Sequence, residues 1–313
     1  MTIKITGVGS ALPERVMTNQ ELEGMVDTSD EWIRERTGIR ERRIAREDTV
    51  VSLAAQASER ALADAGKKAE DVDLILVATC SPEMLLPCCA CQVQSLIGAK
   101  KAVCFDLNAA CSGFLFALDT AYAYIRSGLY KNALVVGSEV LSKLVDWTDR
   151  GTCILFGDGA GAVYVEKAKA GDGILSIVQG SNGFQGSVLS CDTDAKEHIR
   201  MEGKEVYKFA TRQVPECIEE AVHKAGLSLG EIDHFLLHQA NVRILEAIGK
   251  RLKVSMDRIP VNLDRVGNMS SAAIPVLLDE FYRCGKIKRG QKIVLSGFGA
   301  GLTYGACVMI WGR

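Results

Sequence analysis

The feature that most restricts what this chain can fold into is an internal repetition. Residues 61–79, ALADAGKKAEDVDLILVAT, lie against residues 221–239, AVHKAGLSLGEIDHFLLHQ, without a gap and at a constant offset of 160. Ala61 and Ala221, Ala65-Gly66 and Ala225-Gly226, Asp73 and Asp233, and Leu76 and Leu236 coincide. A second echo pairs FGDGAGAVYV, from Phe156, with FGAGLTYGACVM, from Phe298. A period this long marks a duplicated domain rather than a solenoid. The chain therefore reads as two copies of one α/β unit, residues 1–170 and 171–313, joined near residues 168–175 around the polar, Gly-containing stretch KAKAGDGI. Duplicated halves meet at an internal pseudo-twofold, where equivalent strand ends converge on one cleft.

Local patterns fill in the unit. Lys4 to Ser10 reads as an opening strand, Thr28 to Trp32 as a cap leading into a helix that ends at Thr37-Gly38, Ser52 to Gly66 as an amphipathic helix, and Asp73 to Thr79 as a strand. Strands alternating with helices predict a largely parallel sheet buried on both faces. With 313 residues and a net charge of −2, the chain is long enough for a layered core, and nothing points to nucleic acid or an anionic membrane as its main partner. No apolar run approaches the roughly 18 residues of a membrane span, and the opening MTIKITGVGS has no apolar signal region, so a cytoplasmic location is expected. The 11 cysteines are then expected as free thiols that pack mostly as hydrophobes. Cys88, Cys89 and Cys91 contain a C-x-x-C spacing, but there is no second pair at zinc-site distance, and His198, His223, His234 and His238 lie far off in sequence. No metal is expected. Arg40 to Arg46 is a dense run of charge that reads as a solvated face, while Trp32 beside Arg34 and Arg36 also offers a stacking surface flanked by cations, suited to a nucleotide with phosphates.

Chemistry concentrates where strands end. Ala102 to Leu107 reads as a buried strand, and from Cys111 onward Phe114, Leu115, Leu118, Ala121, Tyr122 and Ile125 recur at helical spacing. Cys111 thus sits at the first turn of a helix, among small neighbours, where free N–H groups favour a thiolate and ease ionisation. The competing reading is a small core residue. In the second copy, a strand at Phe235 to Leu237 runs out at His238-Gln239-Ala240-Asn241, and a strand at Val261 to Leu263 leads to Asn268 in a loop-to-helix turn like that of Cys111. His238 alone reads equally as a hydrogen-bonded residue at a strand end, and Asn268 alone as a helix cap. A thiol, an imidazole and a carboxamide in one cleft can form an acyl-thioester, donate hydrogen bonds and polarise a carbonyl. Ser296-Gly297-Phe298-Gly299-Ala300-Gly301 is either a Gly-rich hairpin or a backbone cradle for an oxyanion. A dinucleotide fingerprint is missing, so NAD binding is unsupported.

Cys111 in AACSGF, His238 in HQANVR, Asn268 in VGNMSSAAIP and the terminal GFGAGLTYGA resemble the thiolase superfamily, and within it β-ketoacyl-acyl-carrier-protein (ACP) synthase III. The similarity runs from ITGVGSALPERVMTN through TSDEWIRERTGIRERR to the last strand. It implies a thiolase-like α-β-α-β-α layering and a homodimer that condenses acyl-CoA with malonyl-ACP to start fatty acid synthesis, without metal or organic cofactor. Cys111 would take the acyl group, with the N–H groups of Cys111 and Ala300 as oxyanion hole, Ala300 standing where the family usually has glycine. His238 and Asn268 would stabilise the enolate formed as CO2 leaves. The resemblance also places CoA at Thr28, Trp32, Arg36, Arg150 and Asn241, and ACP at Gln239, Ala240, Asn241, Val242 and Arg243. It puts the acyl pocket at Leu86 and Phe298, Leu86 replacing a common phenylalanine, and the partner subunit at Pro87, Cys88, Cys89 and Gln92. A related condensing enzyme or acyltransferase of secondary metabolism, and a non-catalytic acyl-CoA or ACP-binding module, are the alternative readings.

Overall fold

In the computed structural model, residues 2–169, 171–192 and 198–313 are described. The first part of the chain forms β1 (Thr2–Ala11), β2 (Val16–Thr18), α1 (Asn19–Glu23), α2 (Asp30–Thr37), β3 (Glu41–Arg43), α3 (Val50–Ala65), β4 (Leu74–Ala78), α4 (Cys89–Ile97), β5 (Val103–Leu107), α5 (Gly113–Ser127), β6 (Asn132–Val140) and β7 (Asp158–Ala168). The second forms β8 (Gly173–Ser181), β9 (Leu189–Ser190), β10 (Arg200–Met201), α6 (Gly203–Lys224), β11 (His234–Leu237), α7 (Val242–Leu252), α8 (Leu263–Val266), α9 (Ala273–Arg283), β12 (Lys292–Gly299) and β13 (Thr303–Ile310).

Helix ends follow the local chemistry. In α2, Ser29 accepts the Trp32 N–H and Gly38 closes the helix at a left-handed φ of 82°. Thr49 and Ser52 form a reciprocal cap on α3. The repeat has a visible cause at Asp73 and Asp233. Asp73, ahead of β4, accepts the Lys131 N–H at 2.8 Å at the approach to β6, and Asp233, ahead of β11, accepts the Lys292 N–H at 2.8 Å at the start of β12, so each ties the entry of one strand to the entry of its sheet neighbour.

The two main sheets have orders β1-β7-β6-β4-β5 and β8-β13-β12-β11. Only β4-β5, β4-β6 and β11-β12 are parallel, while the other pairings in both sheets are antiparallel. The sheets are therefore mixed, not largely parallel as the alternation implied. Parallel strands need a helical crossover, but no α-helix separates β6 from β7, and only three residues separate β12 from β13. Val261 to Leu263 also departs from expectation: β11 ends its sheet, and this segment runs into the short α8. The glycine-rich echo holds for Gly161–Val165 in β7 and Gly305–Met309 in β13, each between a first and a third strand of its sheet. It does not hold for the phenylalanines, since Phe156 precedes β7 whereas Phe298 lies within β12.

The layers run α-β-α-β-α. Helices α3 and α4 cover the outer face of the first sheet and α6 and α7 that of the second. Between the sheets lie α5 and α9, whose Phe114, Leu118, Ile274 and Leu277 join Leu76, Val163, Leu236 and Leu295 in one core. Sequence expects β5 as a buried strand, yet it is an edge strand with Val103 45% exposed. The charged run from Arg40 is not a uniformly solvated face either. Arg42 is fully buried, donating to Met17 O, Asn19 Oδ1 and Ile154 O, and burial lowers its pKa to about 10.

Near the site, the two halves touch closely where β6 meets the turn ahead of α9. A Cβ on Gly137 would lie 2.2 Å from the Ser271 carbonyl oxygen, so only glycine fits. We expect Gly137→Ala to cost about 1–3 kcal/mol, as overpacking does, lowering the thermal midpoint in calorimetry; an unchanged midpoint would show that the two halves separate freely here.

Candidate active site

Two turns, one in each half, build the site, and they are copies of each other at the 160-residue offset. Ala110 and Ser270 both take the left-handed backbone, with φ of 46° and 47°, each opening a 3-10 turn ahead of α5 or α9. In the first turn the Asn108 side chain accepts the Ala110 N–H at 3.1 Å; in the second the Asn268 side chain accepts the Ser270 N–H at 2.9 Å. Cys111 therefore corresponds to Ser271, and Asn108 to Asn268. The duplicated turn carries a thiol in one copy and presents its amide to the cavity in the other.

Cys111, His238 and Asn268 line one cavity of about 200 Å³, together with Cys80, Ser270, Phe298 and Ala300. Distant strand ends thus meet in one pocket, as the sequence leads one to expect. Cys111, His238 and Asn268 are 8%, 2% and 4% exposed. The Asn268 backbone is fixed between Leu155 O at 2.9 Å and Gly157 N at 3.0 Å. With its Oδ1 held by Ser270, Asn268 keeps its NH2 as the donor available to the cavity. His238 directly follows β11, its backbone N–H donating to Ser296 O at 2.7 Å and its ring edge-on to Phe298 at 5.4 Å between centroids. The end of β12 passes close to both groups. A Cβ on Gly299 would meet the Cys111 nitrogen at 2.6 Å, and one on Gly297 the His238 Cβ at 3.4 Å.

Electrostatics correct one expectation. Burial pushes the Cys111 thiol up to about 12, with the Glu139 charge adding to it and a hydrogen bond with Ser270 opposing it, so in the closed pocket the thiol does not ionise easily. The helix N-terminus does not offset this burial. Burial lowers the His238 pKa to about 4, which makes it a neutral imidazole near pH 7.

Beneath the thiol lies a polar cluster that sequence reasoning missed. Glu139 is fully buried at the end of β6 and accepts from Ser81 Oγ at 2.6 Å, Thr79 Oγ1 at 3.2 Å and Cys80 N at 3.1 Å. Ser271 Oγ, from the other half, lies 2.8 Å from Glu139 Oε1 and 2.9 Å from Ala78 O. Ser270 and Ser271 stood within the quoted VGNMSSAAIP; Cys80 and Glu139 carried no signal beyond their places at strand ends. The cavity wall formed by Leu189, Ile199, Met201 and Val206 was likewise missed, because Leu189 and Met201 sit in two-residue strands and Val206 near the start of α6, which no single periodic stretch of sequence joins.

The remaining expected residues divide. Phe298 lines the cavity; Leu86 does not, being 82% exposed on its own chain. The β4–α4 connection carries Leu86 to the molecular surface instead. Trp32, Arg36 and Arg150 do come together, the guanidinium carbons lying 5.5 Å and 4.9 Å from the indole centroid. Arg150 also donates to Asp27 O at 2.8 Å, and Thr28 Oγ1 is buried without a partner. Asn241 caps α7, accepting the Arg243 N–H at 2.8 Å. Of the expected docking stretch, Arg243 is exposed, Asn241 and Val242 are half-buried, and Ala240 turns to the cavity. Gln239 is 1% exposed and fully engaged with Asn262 and Leu263, so it offers no docking surface.

The layered duplication and a thiol, imidazole and amide in one cavity define a thiolase-like condensing enzyme. Profiles described as 3-oxoacyl-[acyl-carrier-protein] synthase III and its C-terminal domain match residues 105–183 and 222–311. The β-ketoacyl-[acyl-carrier-protein] synthase III of Oceanobacillus iheyensis is 50% identical over 100% of both chains, and that of Clostridium acetobutylicum 48% identical over 99% of both. The crystal structure of 3-oxoacyl-[acyl-carrier-protein] synthase III from Aquifex aeolicus superposes with a TM-score of 0.96 at 45% identity, covering 98% of this chain and 99% of that one. The chain belongs to the β-ketoacyl-acyl-carrier-protein synthase III family, an acyltransferase family with the thiolase-like fold.

Because the folded pKa of His238 lies below the ordinary 6.5, the unfolded chain takes up this proton first as pH falls. The associated stability is fully present above about pH 6.5, is lost between about 6.5 and 4, and changes no further below. Imidazole NMR of His238 is expected to show a neutral ring at pH 6 with a midpoint near 4; a midpoint near 6.5 would overturn the assignment of a dry, neutral imidazole.

Proposed function

We propose that this protein condenses an acyl-CoA primer with malonyl-ACP, releasing CoA and CO2 and giving β-ketoacyl-ACP, the first condensation of fatty acid synthesis. One observation carries the reading: Cys111 from the first half and His238 and Asn268 from the second line one buried cavity. The halves we assign are residues 1–170 and 171–313.

The Cys111 sulfur attacks the acyl-CoA thioester, and CoA leaves as the thiol. The N–H groups of Cys111 and Ala300 receive the developing oxyanion, which the close backbone packing of Gly299 on Cys111 supports. In the second stage malonyl-ACP loses CO2, and its thioester carbonyl becomes an enolate oxygen. The Asn268 NH2 and a neutral His238 suit this step, since each donates a hydrogen bond without taking a proton. The enolate carbon attacks the acyl-Cys111 carbonyl and expels the thiolate. Decarboxylation generates the carbanion, so a base strong enough to ionise a carbon acid is not required, in keeping with the low basicity of His238. No metal or organic cofactor enters these steps. The apolar wall of Leu141, Leu144, Leu189, Ile199, Met201 and Val206 suits a short alkyl primer, and Phe298 borders it.

The Trp32 ring between Arg36 and Arg150 suits the adenine and phosphates of CoA, with Thr28 and Asn241 beside its path. Arg243, exposed at the start of α7, suits the acidic carrier protein. A homodimer is supported by the apolar residues exposed around α4 and the edge strand β5: Leu85 at 84%, Leu86 at 82%, Leu96 at 62% and Val103. Leu86 lines an acyl pocket only across such a face. A cytoplasmic location fits this substrate set, and no helix among the described residues is long and apolar enough to cross a membrane.

Mass spectrometry after incubation with a panel of acyl-CoAs is expected to show one acyl group on the Cys111 peptide, absent in Cys111→Ser; acylation elsewhere would refute the scheme. In Asn268→Ala, self-acylation is expected to persist while condensation falls about 10²- to 10³-fold, the usual loss of one oxyanion donor. The opposite order of damage would reassign the roles. Arg243→Ala is expected to raise KM for malonyl-ACP well above any change for acyl-CoA, and equal changes would remove its docking role.

A further inference from the structure

Glu139 takes no part in the steps above, yet the groups around its buried carboxyl fix how many protons it holds. Its two oxygens are served differently. Oε2 accepts the Ser81 O–H at 2.6 Å, the Cys80 backbone N–H at 3.1 Å and the Thr79 O–H at 3.2 Å. Both hydroxyls have their hydrogens free for this, since Ser81 Oγ itself accepts the Val140 N–H at 2.9 Å and Thr79 Oγ1 the Ser81 N–H at 3.2 Å. Oε1 meets Ser271 Oγ at 2.8 Å and, more weakly, Cys80 Sγ at 3.5 Å. At Ser271 the hydrogens run short. Its Oγ also lies 2.9 Å from Ala78 O, so two oxygen–oxygen contacts of hydrogen-bond length converge on a hydroxyl with one hydrogen. A backbone carbonyl cannot supply the second. If Ser271 donates to Oε1, two bare oxygens are left 2.9 Å apart at Ala78 in a buried site, which is costly. If it donates to Ala78 O, the other hydrogen comes from the carboxyl.

We propose that Glu139 is a neutral carboxylic acid at pH 7, its Oε1–H donating to Ser271 Oγ and Ser271 in turn to Ala78 O, and that it is a positioning residue for the turns of the site. The donor chain runs from β6 through the turn of the second half to the end of β4 in the first. Ser271 is the counterpart of Cys111, and the Ser270 N–H beside it holds the Asn268 side chain. Burial, with no cation among the influences on this carboxyl, raises its pKa and works in the same direction. The titratable groups beside it are the thiols of Cys80 and Cys111, both themselves raised by burial, so neither brings a charge at pH 7. The bound proton has a consequence for the nucleophile. Glu139 opposes ionisation of Cys111 through its charge, so as the acid it leaves the floor beneath the sulfur uncharged. Only this consequence rests on the role proposed for Cys111; the hydrogen count does not.

Infrared spectroscopy of the whole protein carrying carbon-13 in its glutamate side-chain carboxyls tests the proposal. At pH 7 a labelled carboxylic-acid C=O band is expected, because Glu139 is the one buried glutamate among the described residues. Glu139→Gln is expected to abolish that band. Its amide NH2 can donate to Ser271 while its carbonyl accepts at the Oε2 position, so the thermal midpoint is expected to hold. Ser271→Ala removes the acceptor and is expected to move the band to higher frequency. Iodoacetamide alkylation of Cys111 at pH 7, followed on the Cys111 peptide, is expected to differ by less than about twofold between the unmutated protein and Glu139→Gln, whereas removing a carboxylate charge would speed it about tenfold for each pKa unit of relief. Labelled carboxylate bands alone, a band that survives Glu139→Gln, or a tenfold faster alkylation in that variant would overturn the proposal. Should Glu139→Gln fail to fold, the band of the unmutated protein, present or absent, decides. No arm uses acyl-CoA or malonyl-ACP, so a failure of the condensation reading leaves this outcome unchanged.

Discussion

The site depends on the contact between β6 and the turn ahead of α9. Gly137 lets the Ser271 backbone come within a distance no side chain would permit, and two residues further along β6 the buried Glu139 reaches Ser271 across the boundary between halves. A buried carboxyl is costly unless every lone pair is used. Glu139 meets that condition only when Ser81, Thr79 and Cys80 from one half and Ser271 from the other surround it. Burial raises its pKa above the ordinary carboxylate range, although these donors counter the shift. The polar cluster is therefore satisfied only when the two copies are in register, and that register sets Cys111 opposite Asn268.

Duplication followed by divergence explains how one fold supplies three different groups. At equivalent positions the first copy has Ala78, Asn108 and Cys111 where the second has His238, Asn268 and Ser271. The backbone of the turn is the same in both, including its left-handed residue. Only side-chain identity separates the thiol of Cys111 from the hydroxyl of Ser271. Burial then sets the behaviour of these groups, since it holds the imidazole neutral near pH 7 and pushes the thiol pKa up.

What could be read in advance followed from spacing. The repeat identified the duplication because Ala61, Asp73 and Leu76 perform the same packing or strand-tying duty as Ala221, Asp233 and Leu236. Gly38 and Gly66 ended their helices for the ordinary reason that glycine takes the left-handed cap. Direction of pairing was not legible: alternating strands and helices say nothing about β7 and β13, which return antiparallel after connections without a helix. Arg42 looked like its charged neighbours, yet alternation along the three residues of β3 turned it inward. The burial of Gln239 and the exposure of Leu86 on its own chain were not legible for a similar reason, since neither follows from the type of a single residue in a loop.

The sequence by itself determined the twofold repeat, the helix ends and the identities of the thiol, the imidazole and the amide, because these are properties of spacing and residue type. Tertiary structure alone decided that Cys111, His238 and Asn268 share a cavity, that Glu139 braces its floor and that Leu189, Ile199, Met201 and Val206 close its wall. Those contacts span more than a hundred residues of chain or come from segments without periodicity, so no local pattern encodes them. The direction of each pKa shift was also decided there, because it depends on how much water the fold removes.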